Sequence, residues 1–376
     1  MDNFLIKSFS SENIEKELDF IGFDKAYLKA ISEKFIPEIF KIYELSPVQA
    51  TILKQTALSC GTDCAVHREV LMQNIEKSDA LLFGTKSQIK KIAEKLSLQP
   101  FGLKNLAKEL EEKISAKTKK WGEKTYIMGI LNVTDNSFSD GGEFFEKEKA
   151  LSRFSEILEQ GADIVDIGAE STAPKALPIK VDEEIKRLEK VLPEVCKKAL
   201  ISVDTRNSKT AKYALEQGAD IINDVSGFMY DEKMAEVVSN SSADVVLTFD
   251  DTIETEKTLD ETIKGLIKRV ELCHSNGIND ERIILDPGLG FNKTFEHNIE
   301  LIKNADELCS LGFPVLYGIS RKSFMQKMTG LSPKETFEAN ISIGAYLAVK
   351  GVNILRVHDV KAHKIALNTL DRVIYD

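Results

Sequence analysis

Asparagine, aspartate and histidine recur in this sequence at one kind of place, where a short run of Val, Ile and Leu stops. Asn132 closes GILN, Asp166 sits in DIVDIGA, Asp204 in LISVDT, and Asn223 with Asp224 in DIINDVS. Asp286 follows in RIILDPG, Ser320 in PVLYGIS, and His358 with Asp359 in NILRVHD. A buried carboxylate aimed into a pocket accepts two N–H groups at once, which suits the edge of an amino-pyrimidine. The last two segments add cations, Arg321 and Lys322 in GISRKSF and Arg356 in RVHDV. Such groups favour an anion, and the loops after the last two strands of a barrel are where phosphate commonly binds. A lone aspartate at such a place is often only a cap or a turn residue. Arg321 fits a scattered surface charge best. Several carboxylates, amides and cations brought to one face are harder to dismiss. Two further segments, NVTDNSFSDGGEFF and DIGAESTAPKA, run from the first two strand ends into turn-forming residues. In ILDPGLGFNKT two glycines flank Leu289, a pattern that permits close backbone approach.

Bringing these groups together requires a particular scaffold. Eight short apolar runs lie at 125–134, 163–169, 200–205, 220–226, 244–250, 282–288, 314–320 and 353–359, with amphipathic stretches between them. Near-continuous apolar runs predict strands buried on both faces of a parallel sheet. The phrase EQGAD recurs before two of them, a helix ending at Gly and turning into a strand. Eight such units predict an α/β fold, a (β/α)8 barrel over 121–376 whose polar strand ends converge on one face. A doubly wound sheet is the competing architecture, but no GxGxxG follows the first run.

Residues 1–120 lack this rhythm and are expected to form a small α/β or mostly helical extension. SPVQATILKQTALSC reads as a helix, DALLFGTKSQIKKIAEKL as a strand then a helix, and QPFGLKNLAKELEEKI as the site of a second strand. The Lys/Glu-rich ELEEKISAKTKKWGEK marks the boundary. Cys60, Cys64 and His67 could sit on one helix face; three local ligands fall short of a structural zinc site, and packing is the favoured expectation.

The chain has 376 residues, 43% hydrophobic and 29% charged, with a formal charge of -10. That balance argues against nucleic-acid or anionic-membrane partners, and no run is long enough to span a bilayer. The N-terminus lacks the pattern of a secretory signal, and five cysteines in so long a chain read as reduced thiols, so a cytoplasmic location is expected.

Taken in order, GILNVTDNSFSDGG, DIGAEST, SVDT, IND, DPGLGF-KT, SRKSF and RVHDV resemble the dihydropteroate synthase family of pterin-binding barrels. The resemblance spans about residues 125–376 and leaves the first 120 unassigned. It implies a transferase of folate biosynthesis that joins 6-hydroxymethyl-7,8-dihydropterin diphosphate to para-aminobenzoate. It implies that Asp204, Asn223, Asp286 and Lys322 hold the pterin. Asn132, Arg356 and His358 would hold the diphosphate, with Mg²⁺ near Asn132. Thr172, Pro174, Phe291 and Ser323 would shape the aminobenzoate site, and Asp140 lies on the first of two closing loops. By the same resemblance the partners are these small molecules and a second copy in a homodimer, and the family is a sulfonamide target. The chain departs from the family at ESTAPK, where Ala173 replaces an arginine and Lys175 follows, at Asp135 and Asn136, and at LTFDD in place of a Met-His-Met type segment. A non-catalytic pterin-binding barrel is one alternative. A methyltetrahydrofolate-dependent methyltransferase is another, although it would not need the basic SRK and RVH ends.

Overall fold

The computed structural model describes residues 14–115, 120–122, 124–133, 143–169, 179–332 and 335–375. The chain divides into two compact units, Met1–Lys117 and Thr118–Asp376.

The first unit contains a three-stranded antiparallel sheet in the order β1 (Pro37–Leu45), β3 (Ser78–Thr85), β2 (Asp63–Val66). Helices Pro47–Ser59, Lys86–Leu96 and Leu103–Ile114 supply Leu53, Ile89, Leu96 and Leu103 to a core completed by Leu82 of β3. Ser46 starts the first of these helices, its hydroxyl accepting from the Gln49 N–H at 3.3 Å while the Gln49 carbonyl accepts from the Ser46 N–H at 2.8 Å. Two sequence expectations fail here. The segment expected to hold a second strand is the helix Leu103–Ile114, whose buried Leu103, Ala107, Leu110 and Ile114 keep a helical spacing. Cys60, Cys64 and His67 do not share a helix face, because the helix stops at Ser59, Cys60 caps it, and Cys64 is buried in β2. The His67 Nδ1 accepts the Glu69 N–H at 3.2 Å, and no cluster of metal-ligating side chains occurs among the described residues.

The second unit is the barrel. Its strands are β4 (Tyr126–Asn132), β5 (Ile164–Gly168), β6 (Leu200–Asp204), β7 (Ile221–Asp224), β8 (Asp244–Thr248), β9 (Ile283–Asp286), β10 (Leu316–Gly318) and β11 (Ile354–Val357). All are parallel, ordered β10-β11-β4-β5-β6-β7-β8-β9. The ends meet where the Leu285 N–H donates to the Pro314 carbonyl at 2.9 Å and Leu285 pairs with Val315. The eight predicted runs are thus the eight staves.

Alternation along each stave separates two kinds of core. Met128, Ile164, Ile221, Val246, Ile284, Leu316 and Ile354 face the lumen and cluster with Trp121. Their neighbours Ile127, Val165, Ile201, Ile222, Val245, Ile283 and Leu355 face the surrounding helices. Both faces are covered, which is why the runs read as continuous rather than alternating. Trp121 stands edge-on to Tyr126, with ring centroids 5.1 Å apart, and its indole N–H donates to Asp244 Oδ2 at 3.1 Å. The Lys120 ammonium reaches the same oxygen at 2.7 Å. Trp121→Phe keeps the ring but leaves Asp244 to Lys120 alone. A loss of about 1–2 kcal/mol is expected, read as a lower urea midpoint at an unchanged m-value.

Candidate active site

Two residues beyond the apolar layer, the lumen turns polar. Counting by twos from Ile164, Ile221, Val246, Ile284 and Ile354 gives Asp166, Asn223, Thr248, Asp286 and Arg356, all on the inward phase. Asp204 pairs with Asn223 in register and belongs to the same face. Arg356 crosses from β11 to two carboxylates. Its Nε donates to Asp166 Oδ2 and its Nη2 to Asp204 Oδ2, each at 2.6 Å. The Asn223 amide N–H reaches Asp166 Oδ2 at 3.2 Å. Asp166 is wholly buried, and Asp204, Asn223 and Asp286 nearly so. Burial holds the Asp204 carboxyl up at about 7 despite the Arg356 guanidinium beside it. Burial also raises Asp286, against the Gly288 N–H that its Oδ1 accepts at 2.8 Å.

The DPGLGF turn is built for close approach, but to protein groups. Gly288 has φ +71°, and a Cβ there would lie 2.2 Å from the Phe249 carbonyl oxygen. Gly290 has φ +79°, and a Cβ there would sit 3.0 Å from Lys322 Cδ. The missing side chains let Lys322 lie across the turn with its ammonium 4.4 Å from the Phe291 ring centroid. Burial lowers Lys322 to about 8, opposed by the attraction of Asp286 and Asp204. Lys293, donating to the Phe249 carbonyl at 2.7 Å, is likewise lowered by burial to about 8. At the end of β8, the unusual FDD segment engages Arg269. Phe249 has Arg269 and Lys293 over its ring at 5.1 and 4.9 Å, and Arg269 pairs with Asp250 and Asp251 at 3.3 and 3.0 Å.

His358 differs from what its place among the cations suggested. Burial, and then the positive charges of Arg321 and Arg356, hold it down at about 3, so its imidazole is neutral. Its backbone N–H donates to the Ser320 hydroxyl at 3.2 Å, and its Nδ1 is buried without a partner among the described residues. Asp224 is a second correction. Its carboxylate faces away from the lumen and accepts the N–H and hydroxyl of Ser226 and the Phe228 N–H at 2.7–2.9 Å, so it shapes the turn after β7. Asn132 is exposed at the end of β4, Phe291 is half-buried, and Ser323 is exposed at the start of the helix Ser323–Thr329. Asp140, Thr172 and Pro174 lie outside the described residues.

Asp166, Thr248 and Lys293 stand at this face without having been assigned a role from the sequence. Counting by twos from the apolar layer would have flagged the first two. Lys293 follows a turn, where no periodicity speaks.

Fold and site together define a class, the (β/α)8 barrels whose strand ends hold buried carboxylates against a guanidinium and an ammonium. The chain belongs to the pterin binding enzyme family, whose model matches residues 128–358. A dihydropteroate synthase of Clostridium beijerinckii is 36% identical over 265 residues, covering 69% of this chain and 98% of that protein. The crystal structure of dihydropteroate synthase from Clostridium difficile in the presence of pteroic acid superposes with a TM-score of 0.66 at 38% identity, covering 68% of this chain and 99% of that one. A probable bifunctional folylpolyglutamate synthase/dihydropteroate synthase of Haloferax volcanii is 35% identical over 349 residues. That match covers 85% of this chain, more than the barrel unit alone, so the likeness runs into the first unit. The chain spans 41% of that relative's length.

Proposed function

We propose that this chain is a dihydropteroate synthase, which joins 6-hydroxymethyl-7,8-dihydropterin diphosphate to para-aminobenzoate and releases diphosphate. The observation that carries this reading is the lumenal cluster of Asp166, Asp204, Asn223 and Asp286, with Arg356 and Lys322 among them. Carboxylates and an amide at that depth match the donor-rich edge of a pterin. Arg356 lies among these carboxylates, and Lys322, whose charge Asp286 and Asp204 attract, starts the helix after β10, so positive charge is at hand for a charged tail.

The chemistry needs no covalent nucleophile. As the bond to diphosphate breaks, negative charge gathers on the leaving group and a cation-like carbon is left on the pterin methylene; the neutral aromatic amine then forms the C–N bond to that carbon and gives up a proton. Lys322 and Arg356 stabilise the departing charge through their fixed positions. His358, neutral when the site is empty, offers a ring nitrogen to the diphosphate, whose charge raises its proton affinity. Phe291 and Ser323 border the amine site. Thr172, Pro174 and Asp140 would complete it from the two loop segments, excluding water from the cation. Ala173 stands where the family pattern has arginine, and Lys175 follows two residues on in the sequence.

Asn132 suits Mg²⁺ as an exposed amide oxygen at the strand end. Mg²⁺ commonly takes only one or two protein ligands and fills its octahedron with water and substrate phosphates, so the donor set fits. Bound there, the ion would neutralise diphosphate charge. The homodimer reading draws support from the packed outer helices Phe337–Val349 and Val360–Tyr375, which expose Tyr346, Val349, Ile365 and Val373. No helix among the described residues is long and apolar enough to cross a membrane.

The test is diphosphate release with both substrates, Mg²⁺ present or chelated. Turnover that needs both substrates and is restored by Mg²⁺ is expected. Pterin binding without turnover would favour the non-catalytic barrel, and turnover indifferent to chelation would remove Mg²⁺ from the proposal.

A further inference from the structure

Thr248 is the last residue of β8 and is completely buried. It shares the inward phase of Val246, which packs in the lumenal layer with Ile284 and Trp121. In register it lies opposite Asp286 on β9, while β7 on its other side ends in Asn223 and Asp224. Its hydroxyl therefore stands at the strand-end level of the lumen, on the stave between those carrying Asn223 and Asp286. Among the described residues that hydroxyl has no hydrogen-bond partner, and the Asn223 side-chain carbonyl oxygen and Asp166 Oδ1 are likewise buried and unpartnered there. A buried hydroxyl left unsatisfied keeps the cost of its desolvation with nothing to offset it. Valine would fill nearly the same space without that penalty. Ser202 shows the contrast: its hydroxyl is also buried and unpartnered, but it sits two residues short of the end of β6, at a depth suited to a trapped water.

We propose that the Thr248 hydroxyl is a ligand-binding group, hydrogen-bonded to the polar edge of the heterocycle between the contacts made by Asn223 and Asp286. This rests on the pterin reading of the site and adds a specificity-determining residue to it. A hydroxyl both donates and accepts, so Thr248 can follow whichever ring nitrogen or oxygen faces it. The two neighbours are less free, because Asp286 already accepts the Gly288 N–H and Asn223 already donates to Asp166.

The experiment measures 6-hydroxymethylpterin binding by calorimetry, and thermal unfolding, in the full chain and in Thr248→Val and Thr248→Ser. T248V is expected to bind about tenfold more weakly, the loss of one neutral hydrogen bond. Its melting temperature without ligand stays level or rises, because an orphaned buried hydroxyl is gone. T248S keeps the hydroxyl and is expected to bind within about twofold of the parent. A side chain that only packs gives a different pattern: T248V binds like the parent, or T248S weakens as much as T248V. Either result overturns the proposal, and should T248V not fold, Thr248→Ala set against T248S makes the same comparison between a side chain without the hydroxyl and one with it. If the unsubstituted chain does not bind the pterin at all, the pterin reading fails and this proposal falls with it. A parent that binds beside an indifferent T248V overturns the proposal alone.

Discussion

Arg356→Met is expected to destabilise the native state by about 3–5 kcal/mol and to remove measurable turnover. The guanidinium is the only described side chain donating to both Asp166 and Asp204, and both carboxylates are buried. Removing it leaves two uncompensated buried acids, whereas replacing the whole cluster by apolar groups would not carry that penalty. The loss is expected to depend on pH. Asp204 titrates in the folded protein at about 7, above the roughly 3.9 of an unfolded chain. A folded-state value raised in this way means stability is fully present below the unfolded value and falls as pH rises through the folded one. Without Arg356 the folded value moves higher still, so the gap between parent and variant is wider at pH 8 than at pH 5. Urea unfolding at both values checks this, and an equal gap at both would show that Asp204 is not carrying the penalty. Arg356→Lys is expected to recover little, since an ammonium cannot donate along two directions to carboxylates on different strands.

Lys322→Ala is expected to lower kcat/KM by about a thousandfold, most of it in kcat, because a cation that meets charge developing on the leaving group acts mainly in the transition state. The pH profile gives a sharper readout. Lys322 is held at about 8 by burial, so its ammonium is present below that value and lost above it. The parent's kcat/KM is expected to fall on an alkaline limb near pH 8. Lys322→Arg keeps the charge at every working pH and is expected to push that limb upward, whatever its effect on the maximum. Lys293 also titrates at about 8. A limb that stays at 8 in Lys322→Arg would therefore transfer the role to Lys293.

The barrel was legible because its staves are covered on both sides, which leaves eight uninterrupted Val/Ile runs in the sequence. The first unit was less so. Its strand β2 is only Asp63–Val66 and comes soon after the helix cap at Cys60, and a four-residue strand carries too few positions to show a period. At the site, the charged strand ends could be read from composition, but three matters could not. The inward or outward sense of Asn223 and Asp224 is a question of phase, and it gives one to the lumen and the other to a turn. The neutrality of His358 comes first from its burial and then from Arg321, on the preceding strand end, together with its near neighbour Arg356. The work of Gly288 and Gly290 is to clear space for the Phe249 carbonyl and for Lys322, contacts that the turn sequence does not announce.

Arg356 follows Asp166 by 190 residues and Asp204 by 152 in the chain. During synthesis the acidic staves therefore emerge long before the one strong base that spans them. In the folded barrel β11 lies between β10 and β4, so the strand that completes the ring also carries the guanidinium that spans the acidic staves. Closing the ring and neutralising those staves are the work of one strand. A chain truncated before Arg356 would lack both at once: an unfinished ligand pocket is also an unclosed barrel.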